Sequence, residues 1–206
     1  MNGGYDLGYK NCPCFWGRDP GKLVRHLSNL IPVFDGLRVL DGGCGEGKNA
    51  AFLAACGADV TAVDISEIAV SHAKQLWAAS LPINWKIANI VELPLERNQY
   101  DVVIAYGLLH CLNDATTIRN VVLSLQNATQ PGGYHVVVAL NSRAQDLRAH
   151  PDLNPCLIPH TDYIQLYDGW NLDFVEDADL HETHPHNRIP HSHSITRILA
   201  RKAEQK

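Results

Sequence analysis

The chain has 206 residues, with 17 Lys plus Arg against 22 Asp plus Glu and a formal net charge of −5. That length fits one domain able to bury a full core without a disulfide or metal staple, and 19% charged residues argue against a disordered or coiled-coil chain. The acidic balance lacks the basic footprint of a nucleic-acid binder, no apolar run approaches the roughly 18 residues of a membrane helix, and the one unusual count is 11 His, several of them crowded near the C-terminus.

The opening MNGGYDLGYK has no apolar h-region and no cleavage pattern, which points away from secretion and toward a reduced, cytoplasmic setting. Six Cys, at 12, 14, 44, 56, 111 and 156, form no CxxC pair. Cys56 and Cys111 sit in apolar stretches and read as small buried hydrophobes, while the single-residue gap in Cys12-Pro13-Cys14 is not a zinc spacing. Asp19-Pro20 reads as the N-cap and first-turn proline of a helix whose Leu23, Val24, Leu27 and Ile31 share one face.

Residues 37–41 form a short apolar strand entering a glycine cluster, and 47–56 a helix stopped by a left-handed Gly57. A strand at 58–64, a helix opened by Ser66 and a strand near 83–88 follow. Tyr100 to Tyr106 is a buried strand, and Ile118, Val121, Val122 and Leu125 mark a helix from about 114. Pro131-Gly132-Gly133 turns into a strand at 134–140. The stretch 141–159, with three prolines, reads as a long loop of the kind that carries function. Strands alternating with helices imply a largely parallel sheet covered on both faces.

The most informative segment is Val39-Leu40-Asp41-Gly42-Gly43-Cys44-Gly45-Glu46-Gly47. A buried strand breaks there into glycines that let backbone approach a ligand at a helix N-terminus. Asp64, ending the second strand, is placed to take two ribose hydroxyls. A dinucleotide site wants G-x-G-x-x-G, but Lys48 occupies the third position counted from Gly43; the spacing is G-x-G-x-G, preceded by an acid. A carboxylate at Asp41 suits a ligand carrying an amino group better than one carrying a pyrophosphate, so the pattern points to an amino-acid-bearing nucleoside.

At these residues, VLDGGCGEG and VTAVD, the sequence resembles the class I S-adenosylmethionine-dependent methyltransferases. The resemblance implies an α/β fold: a single doubly wound Rossmann-like domain whose mostly parallel seven-stranded sheet ends in an antiparallel C-terminal hairpin. Residues 1–34 would be an N-terminal lid and helix, and 35–206 the S-adenosylmethionine-binding domain. It implies further that Asp41, Gly43 and Gly45 hold the methionine portion, Asp64 the ribose, and Ile65, Asn89 and Ile90 the adenine. Asn89 stands where many relatives carry Asp. Tyr106 would line the floor near the reactive methyl.

The chain ends resemble the tellurite-resistance and thiopurine-type enzymes, through Tyr5…Tyr9, Phe15-Trp16-Gly17-Arg18, Tyr167-Asp168-Gly169-Trp170, Leu180-His181, Asn187-Arg188-Ile189 and Leu199-Ala200-Arg201-Lys202. This likeness implies a small-molecule acceptor, such as a chalcogen oxyanion or an organic thiol, hydroxyl or amine. It also implies a monomer or homodimer with no nucleic-acid or membrane partner. Tyr9, Trp16 and Arg18 would lie over the cofactor, and His181 and Arg188 would face the acceptor. Glu182 stands where those relatives commonly carry Arg, which favours a neutral or cationic acceptor over an oxyanion.

His110, just after the fourth strand, is a candidate base. His181, His184, His186, His191 and His193 offer an alternative, a metal-binding module. His191 and His193 share one strand face, with His181 opposed across a hairpin. The preferred reading is a solvent-exposed polar hairpin with no metal. A fold that binds the cofactor without catalysis would have the same glycine loop.

Overall fold

The computed structural model describes residues 4–184 and 188–204. His186 and Asn187, expected at the C-terminal turn, lie outside the described residues. Among the described residues seven strands form one sheet: β1 (Arg38–Gly42), β2 (Asp59–Asp64), β3 (Ile83–Ile87), β4 (Tyr100–Tyr106), β5 (Thr129–Gln145), β6 (Asn171–Glu182) and β7 (His191–Arg201). Their order is β3-β2-β1-β4-β5-β7-β6. The first five pair in parallel, and β7 runs antiparallel to both β5 and β6. Chain order reverses between β1 and β4, which opens a crevice at the strands' carboxyl ends.

Central strands are apolar on both faces because helices cover both. On one side α2 (Lys22–Leu30) and α3 (Lys48–Ala55) bring Leu23, Val24, Leu27 and Leu53 onto Val39, Ile104 and Val136. On the other, α5 (Ala115–Ala128) and α6 (His160–Gln165) bring Ile118, Val122, Leu125 and Tyr163 onto Leu40, Val103 and Val137. At about 1.5–3 kcal/mol for each fully buried aliphatic side chain, this packing dominates the stability of the sheet. The short α1 (Asp6–Asn11) instead places Tyr9 with Phe15 against Ala69 of α4 (Glu67–Leu76).

Local signals hold where side chains make the caps. Ser66 Oγ accepts from Ala69 N–H, Asp114 accepts from Thr117 N–H, and Gly57 closes α3 at φ 104°. Other expectations shift. Helix α2 starts at Lys22, after a Gly21 N-cap whose N–H donates to Asn49 Oδ1 at 2.8 Å, and the exposed Asp19 instead pairs with Arg25. Pro131-Gly132-Gly133 lies inside β5, where the register with β4 slips, and β5 runs on to Gln145. The continuation past 140 is held by Ser194, whose hydroxyl bonds Ala144, and by the Gln145 amide donating to Ser194 O. Cys56 is exposed, not buried, because it follows the last turn of α3 on the outer surface, and Cys111 is only half-buried. Among the described residues no helix is long and apolar enough to cross a membrane.

Candidate active site

A cavity of about 350 Å³ lies against the residues that follow β1, β2, β3 and β4. Its first wall is the glycine loop, where Gly43, Gly45 and Gly47 adopt φ of 67°, 53° and 79°. A Cβ on Gly45 would sit 2.9 Å from Tyr9 Oη, and one on Gly43 would sit 2.9 Å from Leu108. Only glycine combines that backbone with those neighbours, so bare main chain forms the wall. Asp64 braces the loop: its carboxylate accepts Gly45 N–H at 2.7 Å and Ser66 N–H at 2.9 Å. Burial lifts its carboxyl above the usual range despite those bonds.

Asp41 lies behind this wall and is not part of the lining. Both its carboxylate oxygens are buried without a hydrogen-bond partner among the described residues. Burial pushes it up to about 7, opposed by the nearby Ala50 N–H and reinforced by the Asp64 charge. An orphaned acid under a bare loop is the environment that a ligand's ammonium group would relieve.

The N-terminal segment roofs the loop and is tied to it through Glu46, a loop residue. The Glu46 carboxylate accepts Cys14 N–H at 2.7 Å and Phe15 N–H at 2.6 Å, and lies 2.9 Å from His72 Nδ1. Lys48 Nζ donates to Trp16 O, and Trp16 Nε1 donates to Tyr9 Oη at 3.3 Å. Tyr9 and Trp16 therefore line the cavity as expected. Arg18, expected beside them, is exposed and outside the lining.

Ile65, Asn89, Ile90 and Tyr106 all line the cavity. Asn89 Oδ1 already accepts Val91 N–H at 3.1 Å, so its second lone pair is the one available to a ligand. His110 also lines it, on a short 3-10 turn after β4. Leu140 N–H donates to His110 Nδ1 at 3.2 Å, which puts the ring proton on Nε2. Burial pushes this imidazole down to about 3. A neutral ring with a protonated Nε2 donates a hydrogen bond from that atom, so it does not serve as the expected base there.

The two acceptor-facing expectations on the C-terminal hairpin are not brought to the cavity. His181 and Arg188 are both exposed, and neither lines it. For His181 strand alternation is the reason: along β6, Ala178, Leu180 and Glu182 turn inward, while Asp177, Asp179 and His181 turn out. In the β6–β7 register Glu182 faces His191 and Leu180 faces His193, so the polar residue on the histidines' face is Glu182, which reaches His193 diagonally.

The expectation of an exposed histidine hairpin is likewise corrected. His184, His191 and His193 are buried, at 4%, 5% and 3% exposure, and His150 joins them from the loop after β5 at 8%. His150 Nε2 lies 3.1 Å from His191 Nε2 and 3.0 Å from His184 Nε2, whose ring stacks on Phe15. Glu182 Oε1 lies 3.7, 3.5 and 3.7 Å from the Nε2 atoms of His184, His191 and His193. Burial and the His191 charge press His193 down to about 4, and burial raises Glu182. His150, Glu182 and His193 line the far end of the same cavity, with Leu153, Leu180 and Ile195. Glu182 and the paired histidines were visible in sequence but one register step out; nothing in the sequence marks His150 or the strut at Glu46.

Residues 39–133 match a family described as a methyltransferase domain. The chain is 31% identical over 148 residues to Hemagglutinin 1 of Eikenella corrodens, covering 68% of this chain and 46% of that one. It is 28% identical over 175 residues to the probable S-adenosyl-L-methionine-dependent methyltransferase TehB of Haemophilus influenzae (strain 10810), covering 80% and 57%. The chain thus spans about half the length of these curated relatives. The solved structure of TehB from Haemophilus influenzae shares the fold, with a TM-score of 0.72 at 21% identity, over 88% of this chain and 62% of that one.

Proposed function

We propose that this chain, which belongs to the class I S-adenosylmethionine-dependent methyltransferase family, methylates a small organic acceptor bearing a thiol, hydroxyl or amine. The observation that carries the reading is one cavity with a backbone-walled glycine loop, braced by Asp64, at one end and imidazoles with a carboxylate at the other. The bound cofactor supplies an electrophilic methyl on a sulfonium sulfur.

The residues fit that cofactor. Asp64 keeps lone pairs for the ribose hydroxyls, and Ile65 and Ile90 offer apolar faces for adenine beside Asn89. The loop main chain takes the methionine portion, and Asp41 acts on its ammonium group from behind the wall. Tyr9 and Trp16 exclude water over the loop, and an aromatic face beside a sulfonium adds about 0.5–2 kcal/mol. Methyl transfer needs no acid for the leaving group, so the chain's work is alignment and a dry site. His110 Nε2–H is available to hold an acceptor oxygen.

The apolar Leu153, Leu180 and Ile195 in the acceptor wall and an exposed Arg188 favour an organic acceptor over a tellurite-like oxyanion. Six free cysteines are consistent with a reduced setting such as the cytoplasm. Calorimetry should register micromolar S-adenosylmethionine, displaced by its demethylated product, and a screen of thiols, phenols, amines and chalcogen oxyanions should release that product with an organic acceptor. Absence of heat and of competition refutes the cofactor. Turnover confined to the oxyanions refutes the acceptor class.

A further inference from the structure

We propose that His150, Glu182, His191 and His193 form a binding site for one divalent transition-metal ion at the acceptor end of the cavity, where it anchors an acceptor through a thiol or hydroxyl group.

The spacing is that of a coordination shell. One ligand atom from each of the four residues falls within 4.8 Å of all the others. The pairs His150–His191, Glu182–His191 and Glu182–His193 stand at 3.1, 3.5 and 3.7 Å. A tetrahedron around zinc, with bonds of about 2.0–2.2 Å, has edges of about 3.3–3.6 Å. These three pairs bracket those edges and the remaining pairs lie within 4.8 Å, so small side-chain shifts bring all four atoms onto one ion.

Tautomers point the same way. The carbonyl of Ile189 lies 2.8 Å from His191 Nδ1, so Nδ1 carries the proton. Gln145 Oε1 lies 2.8 Å from His193 Nδ1, and the Gln145 amide is oriented by donating its Nε2 protons to Asn141 O and Ser194 O. Both rings therefore turn an Nε2 lone pair inward, toward a Glu182 oxygen that is itself an acceptor. Acceptors facing acceptors at these distances are mutually repulsive, and a cation or extra protons between them relieve it. An Nδ1–H held by carbonyl oxygen, with Nε2 left for the ion, is the usual outer support of a metal-bound histidine.

The donor set, three imidazoles and a carboxylate, suits zinc, iron(II), cobalt(II) or nickel(II) rather than copper(I), calcium or magnesium. Because His150, Glu182 and His193 line the cavity, an acceptor there reaches the ion as a fifth ligand, expanding the four-coordinate shell. A bound thiol or hydroxyl is acidified by the cation and releases its proton to solvent, a task that His110, protonated on Nε2, does not perform. That last role rests on the methyl-transfer reading; the ion site itself does not.

The test uses the full chain without a histidine tag, stripped with chelator and titrated with zinc chloride by calorimetry and with cobalt(II) by visible absorption. One ion per chain, with the cobalt bands of a four- or five-coordinate site, is expected. Glu182→Gln and His193→Ala should each weaken zinc binding at least tenfold while S-adenosylmethionine affinity stays within about threefold. His181→Ala, on the outward face of β6, should leave zinc affinity unchanged. No saturable binding, or equal weakening by His181→Ala, overturns the site and leaves protons as the bridging cations; should a variant misfold, the wild-type cobalt spectrum decides alone. Zinc binding without S-adenosylmethionine binding would defeat the methyl-transfer reading and keep the site. The reverse would do the opposite. If zinc binds but thiol turnover is the same with and without it, the anchoring role falls.

Discussion

The two ends of the cavity are built by different means. At the cofactor end, the lining comes from short stretches that directly follow parallel strands, and much of it is main chain: Gly43 and Gly45 after β1, Asp64 and Ile65 at the end of β2, Asn89 and Ile90 after β3. At the acceptor end, the polar lining is side chains from a loop and two antiparallel strands: His150, Glu182 and His193. The first end is fixed as soon as the sheet forms. The second depends on β6 and β7 pairing in one register and on the 146–159 loop folding back over them. A ligand common to many proteins is served by the fold, and a particular ligand by its periphery.

The largest expected effect separates the two ends. Asp64→Ala removes the proposed charged partner of the ribose and the brace of Gly45, so S-adenosylmethionine affinity should fall between about tenfold and a hundredfold, at about 1.5–3 kcal/mol per charged hydrogen bond. Zinc affinity should not change, and if both fall together in calorimetry the ends are not independent. Next, Trp16→Ala should cost the cofactor roughly threefold to tenfold, the range of about 0.5–1.5 kcal/mol for an aromatic contact. Unchanged cofactor dissociation in stopped-flow fluorescence would reduce the roof to packing.

Acid and base should pull the two ends in opposite directions. Asp41, near 7 in the folded chain against an ordinary 3.8, contributes stability that is complete below about pH 3.8 and lost as pH rises to 7. His110, near 3 against 6.5, contributes stability that is complete above 6.5 and lost as pH falls to 3. Each slope is at most about 1.4 kcal/mol per pH unit. Denaturant titrations should find Asp41→Asn stabilised relative to wild type at pH 8, and His110→Gln less sensitive to acid below pH 6. A wild-type curve unaffected by either change would mean that the burial of these groups is relieved by water. The smallest expected effect is at the surface: His181→Ala and Arg188→Ala should leave methyl transfer within about twofold, and a large loss would restore them to the acceptor.

Legibility in the sequence followed the same division. Strand alternation with helices, the Gly43–Gly47 spacing and the carboxylate at Asp64 are local patterns, and all three stand where local rules put them. Ser66 and Asp114 cap helices through contacts three residues away, which a sequence displays directly. The acceptor end was misread because strands have a period of two: choosing His181 instead of Glu182 as the residue opposed to His191 moves the whole set to the other face. His150 carried no signal at all, since the loop that delivers it has no periodicity. Arg18 failed for a related reason, for adjacency to Trp16 in sequence says nothing about direction once the chain turns through Gly17 at φ 72°.

Glu46 has a kinetic consequence. One carboxylate belongs to the floor of the cavity and grips the backbone of its roof at Cys14 and Phe15. Swinging the N-terminal segment aside breaks both bonds and leaves the buried carboxylate with His72 as its remaining side-chain partner, so opening should be infrequent while the floor is in place. On this reading residence time would depend on that hinge as well as on contacts to the ligand. Turnover would be paced by how often spent cofactor is let out, and Glu46→Gln should quicken exchange before it weakens affinity.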